Sequence, residues 1–144
     1  ALPAVGMSFT IATPEGYTLD NSSLDLGRVR AQDRSVEVIA MTDPIEAVAG
    51  ADLVYTDAWT SMGQEKEADI RRQAYPGYTL DTGLLARAGP SALLMHDMPA
   101  HYGEELAYGM LDHPKSVVFD QAENRLHAQK AILVSILGPN GVAH

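Results

Sequence analysis

An alternation limits most strongly what this chain can become. Short runs rich in β-branched and aliphatic residues, at Ser8 to Ala12, Glu37 to Met41, Leu53 to Thr56, Ala92 to His96 and Val117 to Phe119, are separated by longer stretches of helical character. Strands that alternate with helices pair through crossover connections, so the pattern predicts an α/β domain with a largely parallel sheet. Helices are expected near Ser22 to Arg34, Pro44 to Ala49, Gln64 to Ala74, Asp81 to Ala88, Glu104 to Tyr108 and Gln121 to Leu137. The last carries the clearest signal: Ala122, Leu126, Gln129, Ile132, Leu133 and Ile136 recur at helical spacing, and Gly138-Pro139 supplies a stop. Asp43-Pro44 is the next clearest, since Asp43 can cap the free amides of a first turn while Pro44 takes the first helical position.

Composition then removes whole classes of partner. A chain of 144 residues without repeats or linkers reads as one domain, large enough for a conventional core. Nineteen acidic against ten basic residues give a formal charge of −9, which repels phosphate backbones and anionic lipid. Nucleic acid and membranes are therefore not expected partners, and no apolar stretch approaches the roughly 20 residues that span a bilayer. The absence of cysteine excludes disulfides and thiolate metal sites and fits a reducing compartment. The opening "ALPAVGMSF" lacks a charged n-region and a long apolar h-region, so the expected location is the cytoplasm.

In open parallel sheets, ligands bind outside the carboxyl ends of the strands. Four polar clusters follow expected strands and can face one crevice: "TPEGY" at 13 to 17, "DAWTSMG" at 57 to 63, "HDMPAHYGEE" at 96 to 105 and "DQAENR" at 120 to 125. Asp57 can hold an ammonium group, while Ser61 and the amides near Met62 and Gly63 can hold a carboxylate, together a receptor for an amino-acid head group. The plainer alternative is that Asp57 and Ser61 cap a helix and that Trp59 and Met62 pack in the core. His96, Asp97, His101, Glu104 and Glu105 are metal-ligand types, but their irregular spacing across Pro99 is a poor template for a metal. Two other readings are a hydrogen-bonded His96 ahead of a solvated helix start, and a turn whose carbonyls around Asp97 and Met98 face a substrate amine.

Arg125, in the first turn of the expected terminal helix, gains nothing from the helix dipole; either an anionic or carbonyl ligand lies beyond it, or it pairs with Glu123 or Asp120. No GxGxxG, Walker or G-x-S-x-G motif occurs, which removes the phosphate cradle of nucleotide enzymes and the nucleophile elbow of serine hydrolases. A phosphoacceptor receiver would want acidic residues after its first strand and a lysine after its last, where this chain has "ATPEGY" and "FDQAENR".

Taken in order, "ATPEGY" at 12 to 17, "TDPIEAVAGADLVYTDAWTSMGQE" at 42 to 65, "MHDMPAHYGEE" at 95 to 105 and "VFDQAENRLHAQKAIL" at 118 to 133 resemble the C-terminal, amino-acid-binding domain of ornithine carbamoyltransferases. The D-x-x-x-S-M-G loop distinguishes the ornithine enzymes from aspartate and other carbamoyltransferases. The resemblance implies that residues 1 to 144 form the ornithine-binding domain, a Rossmann-like three-layer sandwich with a mostly parallel sheet. It implies carbamoyl transfer from carbamoyl phosphate to L-ornithine, giving citrulline and phosphate in arginine metabolism, with no metal or organic cofactor. Asp57 and Ser61 would bind the ornithine α-amino group and the Met62 amide its α-carboxylate. Asp97 and Met98 would present carbonyls to the attacking amine and the carbamoyl nitrogen, and Arg125 would polarise the carbamoyl oxygen. Asp97 and Arg125 are thus the expected catalytic residues, with Asp97, Met98 and Arg125 meeting carbamoyl phosphate.

There are two departures from the family pattern. The family usually has cysteine after the histidine of H-C-L-P, whereas "HDMP" places Asp97 there. The S-T-R-T and H-P-x-Q segments of the carbamoyl-phosphate domain are missing, as are the opening strand and helix of the ornithine domain itself. The expectation is a fragment that is inactive alone, has an interrupted or exposed sheet edge, and belongs to a homotrimer or larger assembly. Alternatives are a non-catalytic amino-acid-binding module and a carbamoyltransferase for another amine.

Overall fold

The structure is a computed structural model and describes residues 1–138. After a 3₁₀ turn at Leu2–Val5 the chain runs β1 (Phe9–Ala12), α1 (Asn21–Gln32), β2 (Val38–Met41), α2 (Pro44–Val48) and β3 (Leu53–Thr56). A 3₁₀ turn at Glu65–Glu67 leads into α3 (Ala68–Ala74), followed by α4 (Thr82–Leu85), β4 (Leu93–His96), a 3₁₀ turn at Met110–Asp112 and α5 (Val118–Leu137). Both ladders are parallel: Phe9 lies opposite Val38 and Ala12 opposite Met41, while Leu53 lies opposite Leu93 and Thr56 opposite His96. Among the described residues no pairing joins the two, so the expected parallel sheet is present in halves, β1-β2 and β3-β4.

Local chemistry explains most boundaries. Asp20 accepts from the Ser23 amide at 2.9 Å to start α1, and Asp43 accepts from Ile45 and Glu46 at 2.8 and 3.3 Å with Pro44 in the first turn of α2, as the sequence predicts. Asp81 caps α4 through the Leu84 amide at 2.7 Å, but the expected helix to Ala88 stops at Leu85. There the chain turns so that the Gly89 amide reaches the Ala51 carbonyl at 2.9 Å. A Cβ on Gly89 would stand 3.0 Å from that oxygen, which explains why glycine suits the approach.

Two expected elements change state. Val117 to Phe119 is not a strand; pairing with β4 shrinks to one bridge at Ser116, and α5 begins at Val118. A short apolar run does not distinguish a strand from the buried start of a helix, and here Val118 is fully buried while Phe119 is 58% exposed. Glu104 to Tyr108 is not a helix either. Its backbone runs beside Leu80, with Leu80 N–H donating to the Glu105 carbonyl at 2.8 Å and Ala107 N–H to the Leu80 carbonyl at 3.0 Å. Burying Leu106 and pairing with the Leu80 backbone outweigh the weak propensity of a five-residue helix. The expected stop at Gly138-Pro139 is met as far as Gly138, which ends α5; Pro139 lies outside the described residues.

One core unites these pieces: Val54, Leu80, Leu85, Leu94, Leu106, Met110 and Val118 pack together under β3 and β4. No helix is long and apolar enough to cross a membrane among the described residues.

Candidate functional site

The parallel register of β3 and β4 sets the site. Thr56 is paired with His96, so the next residues, Asp57 and Asp97, leave the sheet side by side. Asp57 accepts from the Ala58 amide at 2.6 Å. Loss of water and then the negative charge of Asp97 push the Asp57 carboxyl above its ordinary range, against the pull of the Ala58 amide. A crevice holding two carboxylates so placed favours a cation or a shared proton.

Beneath Asp97 lies a buried polar knot. His96 is 1% exposed and Glu105 fully buried, with His96 Nε2 3.1 Å from Glu105 Oε1. The Met98 amide donates to His96 Nδ1 at 2.8 Å, so that nitrogen carries no proton and Nε2–H donates to Glu105. The same Glu105 oxygen accepts from the His101 amide at 2.5 Å, while Oε2 has no partner among the described residues. These bonds hold both ends of the 97–101 turn and sustain a φ of 58° at Met98, a conformation that side chains rarely adopt unless their surroundings impose it. The hydrogen-bonded His96 expected from sequence is present; the solvated carboxylates are not, because Glu105 is its partner. No three histidine or acidic side chains converge as metal ligands among the described residues.

Tyr55, His96, Asp97, Gln121, Asn124 and Arg125 line a cavity of about 450 Å³. Arg125 sits in the second turn of α5, since that helix starts three residues earlier than expected, so the dipole argument for it loses its premise. The alternative salt bridge is also absent among the described residues: Glu123 pairs instead with His127 at 3.4 Å, and the Arg125 guanidinium is free to meet a ligand.

The 57–63 loop is held at its base and open at its tip. Trp59 stacks on Tyr75 with centroids 5.3 Å apart, and its carbonyl accepts from Arg71 Nη1 at 3.1 Å. Tyr17, from the "TPEGY" cluster, meets the edge of Tyr75 at 5.3 Å and lies under Arg71, so that cluster supports this loop and is not part of the cavity wall. Ser61 is exposed and Met62 is 99% exposed, which overturns core packing for Met62. Neither Asp57 nor Ser61 caps a helix, since the turn at Glu65–Glu67 receives no side-chain cap. The fold thus brings Asp97 and Arg125 to one cavity and Asp57 beside Asp97, while Met98, Ser61 and Met62 are not part of the cavity lining.

Tyr55 and Gln121 are not marked as site residues by the sequence, and Glu105 is marked there only as a metal-ligand type. Gln121 lies one helical turn before Arg125 on the same face, a spacing that marks it. Nothing local marks Glu105 as the buried acceptor of His96, nine residues away.

With this geometry in hand, a family model described as "Aspartate/ornithine carbamoyltransferase, Asp/Orn binding domain" matches residues 1–136. The chain is 50% identical over 132 residues to an ornithine carbamoyltransferase of Symbiobacterium thermophilum, covering 92% of this chain and 43% of that protein. It superposes on the ornithine carbamoyltransferase of Pyrococcus furiosus with a TM-score of 0.88 at 42% identity, over 95% of this chain and 44% of that one. An acetylornithine transcarbamylase complexed with acetylcitrulline gives a TM-score of 0.81 at 29% identity, over 94% and 42%. The chain therefore spans well under half the length of these relatives.

Proposed function

Because this chain belongs to the Asp/Orn-binding domain family of the aspartate/ornithine carbamoyltransferases, we propose that it is the ornithine-binding part of an enzyme that moves the carbamoyl group of carbamoyl phosphate to L-ornithine. The observation that carries the reading is the cavity in which Arg125, without an ion pair among the described residues, shares a wall with Asp97, beside which Asp57 lies. Asp57 and Ser61 take the α-amino group and the Met62 amide the α-carboxylate, which requires the open tip of the 57–63 loop to come down onto the ligand. The side-chain amine attacks the carbamoyl carbon, Arg125 neutralises the oxygen as the tetrahedral intermediate forms, and phosphate departs. The carbonyls of Asp97 and Met98 orient the amine and the carbamoyl nitrogen, and the Asp97 carboxylate receives the proton that the amine must lose.

The reaction needs neither metal nor organic cofactor. Carbamoyl phosphate needs further contacts from a preceding domain, so the 144-residue chain alone is inactive; the complete protein is a homotrimer or larger assembly, working in the cytoplasm. A second reading, a carbamoyltransferase for another amine, draws on Asp97 in place of the family's cysteine and on the likeness to the acetylornithine enzyme.

The test is citrulline formation by this chain and by the complete gene product, with ornithine, acetylornithine, lysine and putrescine as acceptors. Activity with ornithine in the complete protein only is the expected result. Turnover of a different amine would favour the second reading, and a folded but silent complete protein that still binds ornithine would leave a non-catalytic module.

A further inference from the structure

The long helix that carries Arg125 is attached to the body by very little. Of the twenty residues of α5, Val118 is the buried one, Gln121 is half-buried, and every residue from Ala122 to Leu137 is exposed. Val118 drives the helix start into the core, but one apolar contact leaves rotation about the helix axis free. Gln121 removes that freedom. Its Oε1 accepts from the backbone amide of His96, at the end of β4, at 3.1 Å, and its Nε2 donates to the hydroxyl of Tyr55, on β3, at 3.2 Å.

One amide therefore ties the first turn of α5 to both strands whose ends carry Asp57 and Asp97. Arg125 follows one turn later on the same face, and Gln121, Arg125 and Ala128 line the cavity as a single stripe. From this geometry we infer that Gln121 is a positioning residue, a two-point clamp that sets the azimuth of α5 and thereby holds Arg125 against the carbamoyl oxygen. The kinetic part of this inference rests on the carbamoyl-transfer reading; the clamp itself does not.

The polarity of the two bonds supplies the test. A carboxylate at position 121 can accept from both the His96 amide and the Tyr55 hydroxyl, so Gln121→Glu keeps both ties with the second one reversed. Gln121→Leu has similar volume and keeps neither. In the complete gene product, Gln121→Leu should lower kcat/KM for carbamoyl phosphate by about 10- to 100-fold, the scale that a displacement near 1 Å produces. Both kcat and the KM for carbamoyl phosphate should change while the KM for ornithine holds, and Gln121→Glu should recover most of the loss. A smaller folded fraction would lower kcat and leave both KM values unchanged, so that pattern overturns the inference, as does a leucine variant equal to the parent or a glutamate variant no better than leucine. Should the parent protein make no citrulline, the carbamoyl-transfer reading fails by itself, and amide hydrogen exchange on the 144-residue chain decides the clamp. The His96 amide should exchange slowly in the parent and in Gln121→Glu and faster in Gln121→Leu; one rate in all three would overturn it.

Discussion

The two strand pairs have ladders of equal length and direction, yet only one behaves as a platform. Around β3 and β4 lie the packed apolar cluster, including Leu94 and Leu106 with no exposure, and, among the described residues, both buried polar side chains, His96 and Glu105. Around β1 and β2 the buried residues are few: Leu24 and Ala31 on α1 with Pro3 and Pro14, while Ile39 is 37% exposed in the middle of β2. Backbone hydrogen bonds exchange one partner for another on folding and net little, whereas each buried apolar side chain contributes about 1.5–3 kcal/mol. The ladder alone therefore does not make a scaffold; what lies on its faces does. Asp57, Asp97 and Arg125, the residues of the candidate chemistry, all attach to the half with the core.

The largest effect that would break this contrast is removal of Glu105. Glu105→Ala strips His96 Nε2–H and the His101 amide of their common acceptor in a site without water access, and should destabilise the chain by about 3–5 kcal/mol. Urea unfolding measures this. Glu105→Gln, which keeps an acceptor oxygen, should lose markedly less; equal losses would mean that volume, and not the polar knot, holds the 97–101 turn.

A direct comparison of the halves comes next. Leu94→Ala, at a position with no exposure, should cost about 2–5 kcal/mol, while Ile39→Ala, in the matching role on the other pair, should cost about 1 kcal/mol. Hydrogen exchange should show the β1-β2 amides opening before those of β3 and β4. Equal costs and simultaneous opening would make the two halves one cooperative unit and remove the distinction.

This contrast also separates what the sequence discloses from what it hides. The first four strands and the cap at Asp43 follow from residues adjacent in the chain, and the structure places them within a residue or two of expectation. Asp57 and Asp97 are legible for the same reason, since each follows an apolar run directly. The state of Glu104 to Tyr108 was not legible: it is decided by pairing with Leu80, and a local pattern holds no record of a partner so distant. Val117 to Phe119 misleads in the opposite way, because β-branched residues that would suit a strand here start a buried helix turn. The separation of Ser61 and Met62 from the cavity was invisible as well, since exposure of a loop tip depends on what the body leaves uncovered.

The smallest effects sharpen the comparison through two carboxylates, one from each half, whose shifts have opposite signs. The Asp57 carboxyl is raised above 3.8, so the folded chain holds that proton more tightly than the unfolded chain does. Its favourable contribution is present below pH 3.8 and is lost as pH rises through the raised value, which leaves an ionised Asp57 as a cost near neutrality. Asp57→Asn should therefore be at least as stable as the parent at pH 7, even though it removes the proposed ammonium ligand. Asp20, capping α1 in the thin half, is lowered to about 2 by its bonds from Ser22 and Ser23. Its contribution is present above pH 3.8 and fades as pH falls through about 2, so Asp20→Ala should be less stable than the parent at pH 7 and indistinguishable from it below that point. Urea midpoints taken across the acid range for the parent and both variants give the two signs directly. If Asp57→Asn proved less stable than the parent at neutral pH, the charge at the mouth of the crevice would be a structural contact and not a cost carried for the sake of a cationic ligand.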